Sequence, residues 1–165
     1  EIQIINSDAL EYDFAQLNKF KVISNLPYNV SSKIIMKLLF YNENIISIIC
    51  MIQKELAIKF DYNKKKMNKY KFIIKLCADY SLLFDVSNNV FYPKPKVNSK
   101  VVEFKLKKNT LNKMKIFNFV NKIFSNKRKS LRNKIINKTL IDNDILNKRV
   151  EELEFNELLE IYKSF

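Results

Sequence analysis

No glycine occurs among the 165 residues. Every position therefore carries a Cβ, and backbone that must run left-handed or lie flush against a ligand has no cheap way to form. The glycine-rich loop that cradles phosphates or nucleotides cannot lie within this chain. A nucleotide-like cofactor would need a major part of its site outside these residues. A chain that opens on Glu1-Ile2-Gln3, without Met, reads as starting inside a domain.

Hydrophobic residues make up 47% of the sequence and aromatics 13%, enough for a folded core. The longest apolar run, Ile45 to Ile52, is far shorter than a membrane span and reads as a buried strand. Nothing at the N-terminus has the pattern of a signal peptide. Cys50 and Cys77 both sit in apolar runs, so they are expected as core residues in a reducing compartment, and the cytoplasm is the expected location. The net charge of +13, from 30 basic and 17 acidic residues, points to a polyanion. The same sequence is rich in Lys, Asn, Ile and Phe and lacks Trp and His, a bias that AT-rich coding produces whatever the function. The position of the charge is thus more informative than its total.

Ile2 to Ile5 is a strand candidate, followed by Asn6-Ser7-Asp8-Ala9-Leu10. An acid just past a strand either accepts from an adenine amino group or caps the next turn. Lys21-Val22-Ile23-Ser24 is a second strand. It leads into Asn25-Leu26-Pro27-Tyr28 and then into a helical pattern of Val30, Ile34, Ile35, Leu38 and Leu39, with Ser31 or Ser32 as its cap. Ile45 to Ile52 has the continuous apolar character of a parallel strand. A short helix is expected over Lys54 to Phe60, then a basic loop from Asp61 to Lys71 that is either solvated or, beside a site, a support for a phosphate backbone. Periodicity leaves Phe72 to Ala78 open between helix and strand. Leu82 to Val86 and Val101 to Leu106 read as strands. Between them the prolines of Phe91-Tyr92-Pro93-Lys94-Pro95-Lys96-Val97 forbid regular structure and display two rings on a stiff loop.

Beyond residue 108 the pattern becomes wholly helical: an amphipathic helix over 111–124, another over Ser130 to Ile136, and short ones near 141–146, 150–153 and 156–162. The expected division is an α/β unit over 1–108 and a helical unit over 109–165. From Lys113 to Lys138 there are nine basic residues and no acidic one, including two of the three arginines. A compositional bias would spread lysine evenly, so this clustering favours a helix pair facing a polyanion. A solvated helix face stays open as the alternative.

The Asn25–Tyr28 turn supplies an amide oxygen, a carbonyl held by proline and an aromatic face, a set suited to a flat base with an exocyclic amine. Methylating such an amine is hard because its lone pair is delocalised into the ring. Two acceptors on the NH₂ group, the Asn25 side chain and the Pro27 carbonyl, would localise it. Tyr28 would stack on the extruded base. No histidine, metal or separate general base is called for.

Together these motifs resemble the small-subunit ribosomal RNA adenine dimethyltransferase family. The resemblance rests on Ser7-Asp8-Ala9-Leu10, Asn25 through Ser32, Gln53-Lys54-Glu55, Phe91 through Ser99, and Phe124-Ser125 through Lys129, Leu131, Arg132 and Asn133. It implies an α/β fold, the C-terminal part of a Rossmann-like S-adenosylmethionine-dependent methyltransferase sheet, followed by a small all-helical domain. It implies dimethylation of two adjacent adenosines of small-subunit ribosomal RNA, with the immature small ribosomal subunit as partner, no membrane, and a monomer. By resemblance Asn25, Pro27, Tyr28 and Phe91 are catalytic, with Tyr28 and Phe91 sandwiching the target adenine. Asp8, Ala9, Asn25 and Leu26 contact S-adenosylmethionine, and Lys127, Arg128, Lys129 and Arg132 face RNA.

The sequence departs from that family at Ser7 and near Asn68, where glycine is usual, and in lacking the N-terminal glycine-rich loop and the acid that binds the cofactor ribose. The chain alone is expected to bind cofactor poorly. A non-catalytic RNA-binding assembly factor, and a DNA adenine methyltransferase, are the alternatives.

Overall fold

The first strand, β1 (Phe20–Asn25), owes its form to alternation: Phe20, Val22 and Ser24 turn inward while Lys21, Ile23 and Asn25 face out. A computed structural model describes residues 2–41, 43–64, 66–108, 112–126, 129–135 and 141–165. After β1 the chain turns at Pro27 and enters α1 (Ser31–Leu38), which buries Ile34, Ile35 and Leu38. It then returns as β2 (Ile45–Gln53), parallel to β1 in a register running from Phe20↔Ile45 to Asn25↔Met51. Two parallel strands need such a crossover, and a helix supplies it.

Helix α2 (Lys54–Phe60) follows β2 directly. Residues 72–77, undecided by periodicity, belong to helix α3 (Lys69–Cys77), which runs straight into β3 (Ala78–Val86). The fourth strand, β4 (Ser99–Leu106), pairs antiparallel with both β2 and β3, giving the order β1-β2-β4-β3. This mixed α/β sheet, with its parallel pair and crossover helix, is of the Rossmann-like kind expected from the sequence. Gln53↔Ser99 and Val86↔Ser99 are both register pairs, so the loop joining β3 to β4 hangs over the end of the sheet where β1 and β2 finish.

Three expectations differ from the structure. Residues 2–5 form no strand; Ile2 and Ile4 are about 90% exposed, and the segment pairs with nothing among the described residues. A strand requires a ladder partner, which an apolar run cannot guarantee. The helix expected over 130–136 is, among described residues, one 3₁₀ turn, Leu131–Asn133. Neither Ser31 nor Ser32 caps α1: Val30 is the N-cap, and the Ser31 hydroxyl donates instead to the Tyr28 carbonyl at 3.1 Å.

After residue 108 come α4 (Lys113–Ile123), α5 (Asn143–Asn147) and α6 (Phe155–Ser164). Phe72 of α3 is fully buried and lies 5.2 Å from the ring of Phe119, 5.8 Å from Phe155 and 6.0 Å from Tyr162. One buried cluster thus extends from Ile48 and Phe104 of the sheet to Ile116, Leu158 and Ile161. Cys50 and Cys77 lie within it as free thiols, each pushed up to about 12 by burial.

The lack of glycine leaves a local mark. Lys66 and Asn126 adopt positive φ of 70° and 45°. Asparagine tolerates that region, whereas lysine there costs about 1 kcal/mol or more. Lys71 helps hold the Lys66 loop: only 4% exposed, it donates its ammonium to the carbonyls of Lys64 and Lys66 at 2.9 and 3.1 Å. Burial lowers its pKa against the raising effect of Asp61. Asn68 has φ of −143°, needs no glycine, and caps α3 by accepting from the Tyr70 and Lys71 amides.

Candidate active site

Asn25 is the last residue of β1, so its side chain stands at the carboxyl edge of a parallel strand pair, where open α/β sheets place their ligands. Leu26 turns inward and is 6% exposed, anchoring the turn; its amide donates to the Met51 carbonyl at 3.3 Å. The Pro27 carbonyl accepts from the Val30 and Ser31 amides at 3.2 and 2.9 Å and so starts α1. The Leu26 carbonyl has no donor among the described residues.

Tyr28 is held at its far end. Its hydroxyl shares a 2.5 Å hydrogen bond with that of Ser99, the fully buried first residue of β4. The loop that ends at Ser99 is braced from several sides. Asn98 accepts the Asn88 amide on its side chain at 3.0 Å and the Lys54 amide on its carbonyl at 3.0 Å. The Asn88 side chain donates to the Pro95 carbonyl at 3.1 Å. Asn25, Leu26, Pro27 and Tyr28 line one side of an open cleft of about 370 Å³, and Phe91, Tyr92, Pro93 and Pro95 line the other. No ring contact joins Tyr28 to Phe91 among the described residues, so the space between them stays open. Among the described residues nothing charged lines the cleft. The four residues expected to act on a base are brought together from two segments distant in sequence.

Asp8 accepts the Leu10 amide on one carboxylate oxygen at 2.8 Å, the capping role; the other oxygen has no partner among the described residues. The loop it begins is fastened by Lys37 of α1, whose ammonium donates to the carbonyls of Ala9, Leu10 and Tyr12 at 3.3, 2.8 and 2.6 Å. Lys37 and Ser99 escape a sequence reading. A lysine on the flank of an amphipathic helix and a hydroxyl at a strand's start look alike whether or not they have distant partners.

Lys127 and Arg128 lie outside the described residues. Lys129 is exposed. Arg132 is exposed too, but its guanidinium already donates to the side-chain oxygens of Asn143 and Asn147 at 2.9 and 3.3 Å. Among the described residues no helix is long and apolar enough to cross a membrane.

A family model described as "Ribosomal RNA adenine dimethylase" matches residues 1–164. The chain is 44% identical over 144 residues to "Ribosomal RNA small subunit methyltransferase A" of Malacoplasma penetrans, covering 83% of this chain and 53% of that protein. It is 36% identical over 172 residues to the protein so named in Borreliella burgdorferi, covering 96% of this chain and 60% of the relative. The chain thus spans little more than half the length of these relatives. A crystal structure of a dimethyladenosine transferase from Plasmodium falciparum superimposes with a TM-score of 0.79 at 23% identity, covering 98% of this chain and 71% of that one.

Proposed function

The chain belongs to the ribosomal RNA adenine dimethylase family, and from that premise we propose that it methylates the exocyclic amines of two adjacent adenosines in small-subunit ribosomal RNA. The observation that carries the reading is the convergence of Asn25, Leu26, Tyr28 and Phe91 on one uncharged cleft at the carboxyl edge of β1. The Asn25 side-chain oxygen and a backbone carbonyl accept from the two N–H groups of the amine, drawing its nitrogen out of conjugation. Pro27 was expected to provide that carbonyl. Its oxygen already receives two helix amides, so the second acceptor is assigned to Leu26, whose carbonyl is unpartnered among the described residues. Pro27 then acts by fixing the turn.

Tyr28 stacks on one face of the extruded adenine and Phe91 on the other. Because Tyr28 is tethered through its hydroxyl to Ser99, its ring is held in place before substrate arrives. S-adenosylmethionine, when bound, supplies the electrophilic methyl group. The free carboxylate oxygen of Asp8 suits its adenine amino group, on a loop that Lys37 holds in place, and Asn25 and Leu26 border it on the substrate side. Lys127, Arg128, Lys129 and Arg132, in the helical unit assigned to 109–165, are proposed to face the RNA, and the protein to act as a cytoplasmic monomer.

The test is transfer of labelled methyl groups by the full-length protein to small ribosomal subunits lacking the modification. Incorporation of label at the two adenosines, slowed by about 10²–10³ in Asn25→Ala, is expected. Equal incorporation by wild type and variant, or none by the wild type, would overturn the reading.

A further inference from the structure

Beside the cleft, on the flank of α1, lies a second depression of about 450 Å³, within the usual size of ligand sites. Its walls come from α1, α3 and the start of α4. Lys33, Lys37, Lys69 and Lys113 line it together with Phe40, Tyr70 and Phe117, and among the described residues no acidic one does. Elsewhere lysines pair with carboxylates, as Lys54 and Lys100 do with Asp85, or Lys148 with Glu157. The groove lysines have no such partner among the described residues. Lys37 is spent on carbonyls and contributes only its field. Lys69 and Lys113 lie over aromatic faces, Lys69 5.2 Å from the centre of Tyr70 and Lys113 4.6 Å from that of Tyr41. Lys33 is exposed and unpartnered among the described residues. Phe117, 43% exposed and 5.3 Å from Phe40, presents ring surface to the opening.

Ammonium groups interleaved with accessible rings match a polyanion that carries flat bases, and unpaired bases alone offer their faces for stacking. We propose that this groove binds single-stranded RNA, the stretch running on from the nucleotide held in the cleft. Continuity supports that path: Ser32 and Lys33 of the groove lie in the first turn of α1, the helix that begins at Ser31, three residues after Tyr28, and Ser31 bonds back to the Tyr28 carbonyl. Its described lining includes neither Lys129 nor Arg132, and the proposal rests on the reading of the chain as acting on RNA.

The test uses full-length protein and a fluorescein-labelled single-stranded oligoribonucleotide, with anisotropy followed across a salt series. The triple variant Lys33→Gln, Lys69→Gln, Lys113→Gln should raise Kd by about tenfold or more. Its slope of log affinity on log salt should fall by about two units, at about 0.7 per phosphate contact on a single strand. Phe117→Ala should weaken binding with the slope unchanged, since stacking releases no counterions. Wild-type Kd and slope in the triple variant would overturn the proposal. So would equally tight binding of polyglutamate, lost in the same variant, which would make the groove a general polyanion or acidic-protein site. Methyl transfer measured in parallel separates the two readings. A wild type that methylates, with a triple variant that binds normally, removes the groove alone. A wild type that neither binds nor methylates removes the proposed function with it.

Discussion

One depression is lined by the turn that precedes α1 and another by the flank of that helix, and they are built from opposite materials. The cleft at Asn25–Tyr28 is lined by amide, proline and aromatic groups and carries no charge, whereas the groove behind it holds four lysines. The difference follows from what each is asked to do. Under the proposed function, methyl transfer moves positive charge from the sulfonium to the amine nitrogen, so an ammonium fixed nearer that nitrogen than the sulfur would oppose the shift; a unit pair at about 4 Å repels by about 4 kcal/mol at an effective dielectric near 20, less the repulsion relieved at sulfur. A strand of phosphates needs the reverse. Under the proposed function the net charge of +13 is sorted: lysines line the groove, whereas among the described residues no charged group lines the cleft.

The largest expected effect breaks the comparison by removing one side of it. Phe72 links α3, which supplies Lys69 and Tyr70 to the groove, with Phe119 of α4 and Tyr162 of α6. Phe72→Ala should cost about 3–5 kcal/mol of unfolding free energy, measured by urea titration. RNA affinity should fall more than affinity for the cofactor, because the cleft stands on strand ends. A loss below about 1 kcal/mol would mean that the helical unit and the sheet do not share a core. Next in size, Asn25→Ala should slow methyl transfer by about 10²–10³ with thermal stability unchanged, because the side chain is exposed and removes an acceptor rather than a packing group. A variant that methylates at the wild-type rate would leave the neutral cleft without a chemical role.

The sequence carried what local physics determines. The apolar runs at 21–24 and 45–52, the proline turn between strand and helix, and the periodicity of Ile34, Ile35 and Leu38 all became elements where expected. Features that depend on a remote partner were hidden. Ile2–Ile5 has strand-like residues but no ladder, and Lys71, which reads as a solvated loop charge, is a buried brace. In the site, residue types named the chemistry, but not the preoccupied carbonyl of Pro27. The loops had to be seen together before Ser99 could be paired with Tyr28 or the groove recognised between three helices.

That Ser99–Tyr28 pairing gives a smaller and more discriminating prediction. If the hydroxyl pair positions the ring, Ser99→Ala and Tyr28→Phe should each reduce kcat by about fivefold to tenfold, near the worth of one hydrogen bond. The double variant should lose little more than either alone, as two halves of one contact do. KM for RNA should hardly move if, as proposed, basic residues away from the ring supply most of the affinity. Additive losses would mean that Ser99 acts on something other than Tyr28.

The smallest effect concerns acid. Burial pushes the Glu157 carboxyl up, but hydrogen bonds from Lys148 and the Glu154 amide, with the Lys148 charge, more than reverse this and hold it below its usual range. A depressed carboxyl contributes stability above its unfolded pKa, near 4.3, and loses it as pH falls through the lower folded value. Lys148 is raised by the hydrogen bond to Glu157, so its contribution is present below about pH 10.4 and lost above the folded pKa. Between those limits the pair is constant. Among the described residues no carboxylate lines the groove. Lowering the pH from 6 to below 4 should therefore reduce the melting midpoint of the wild type slightly more than that of Glu157→Gln. Affinity for a single-stranded oligoribonucleotide, read just above the onset of acid unfolding, should stay level. A rise in affinity as the pH falls, tracking a carboxylate titration, would show that an acid outside the described lining neutralises the groove lysines, and the contrast between the two depressions would then be one of degree.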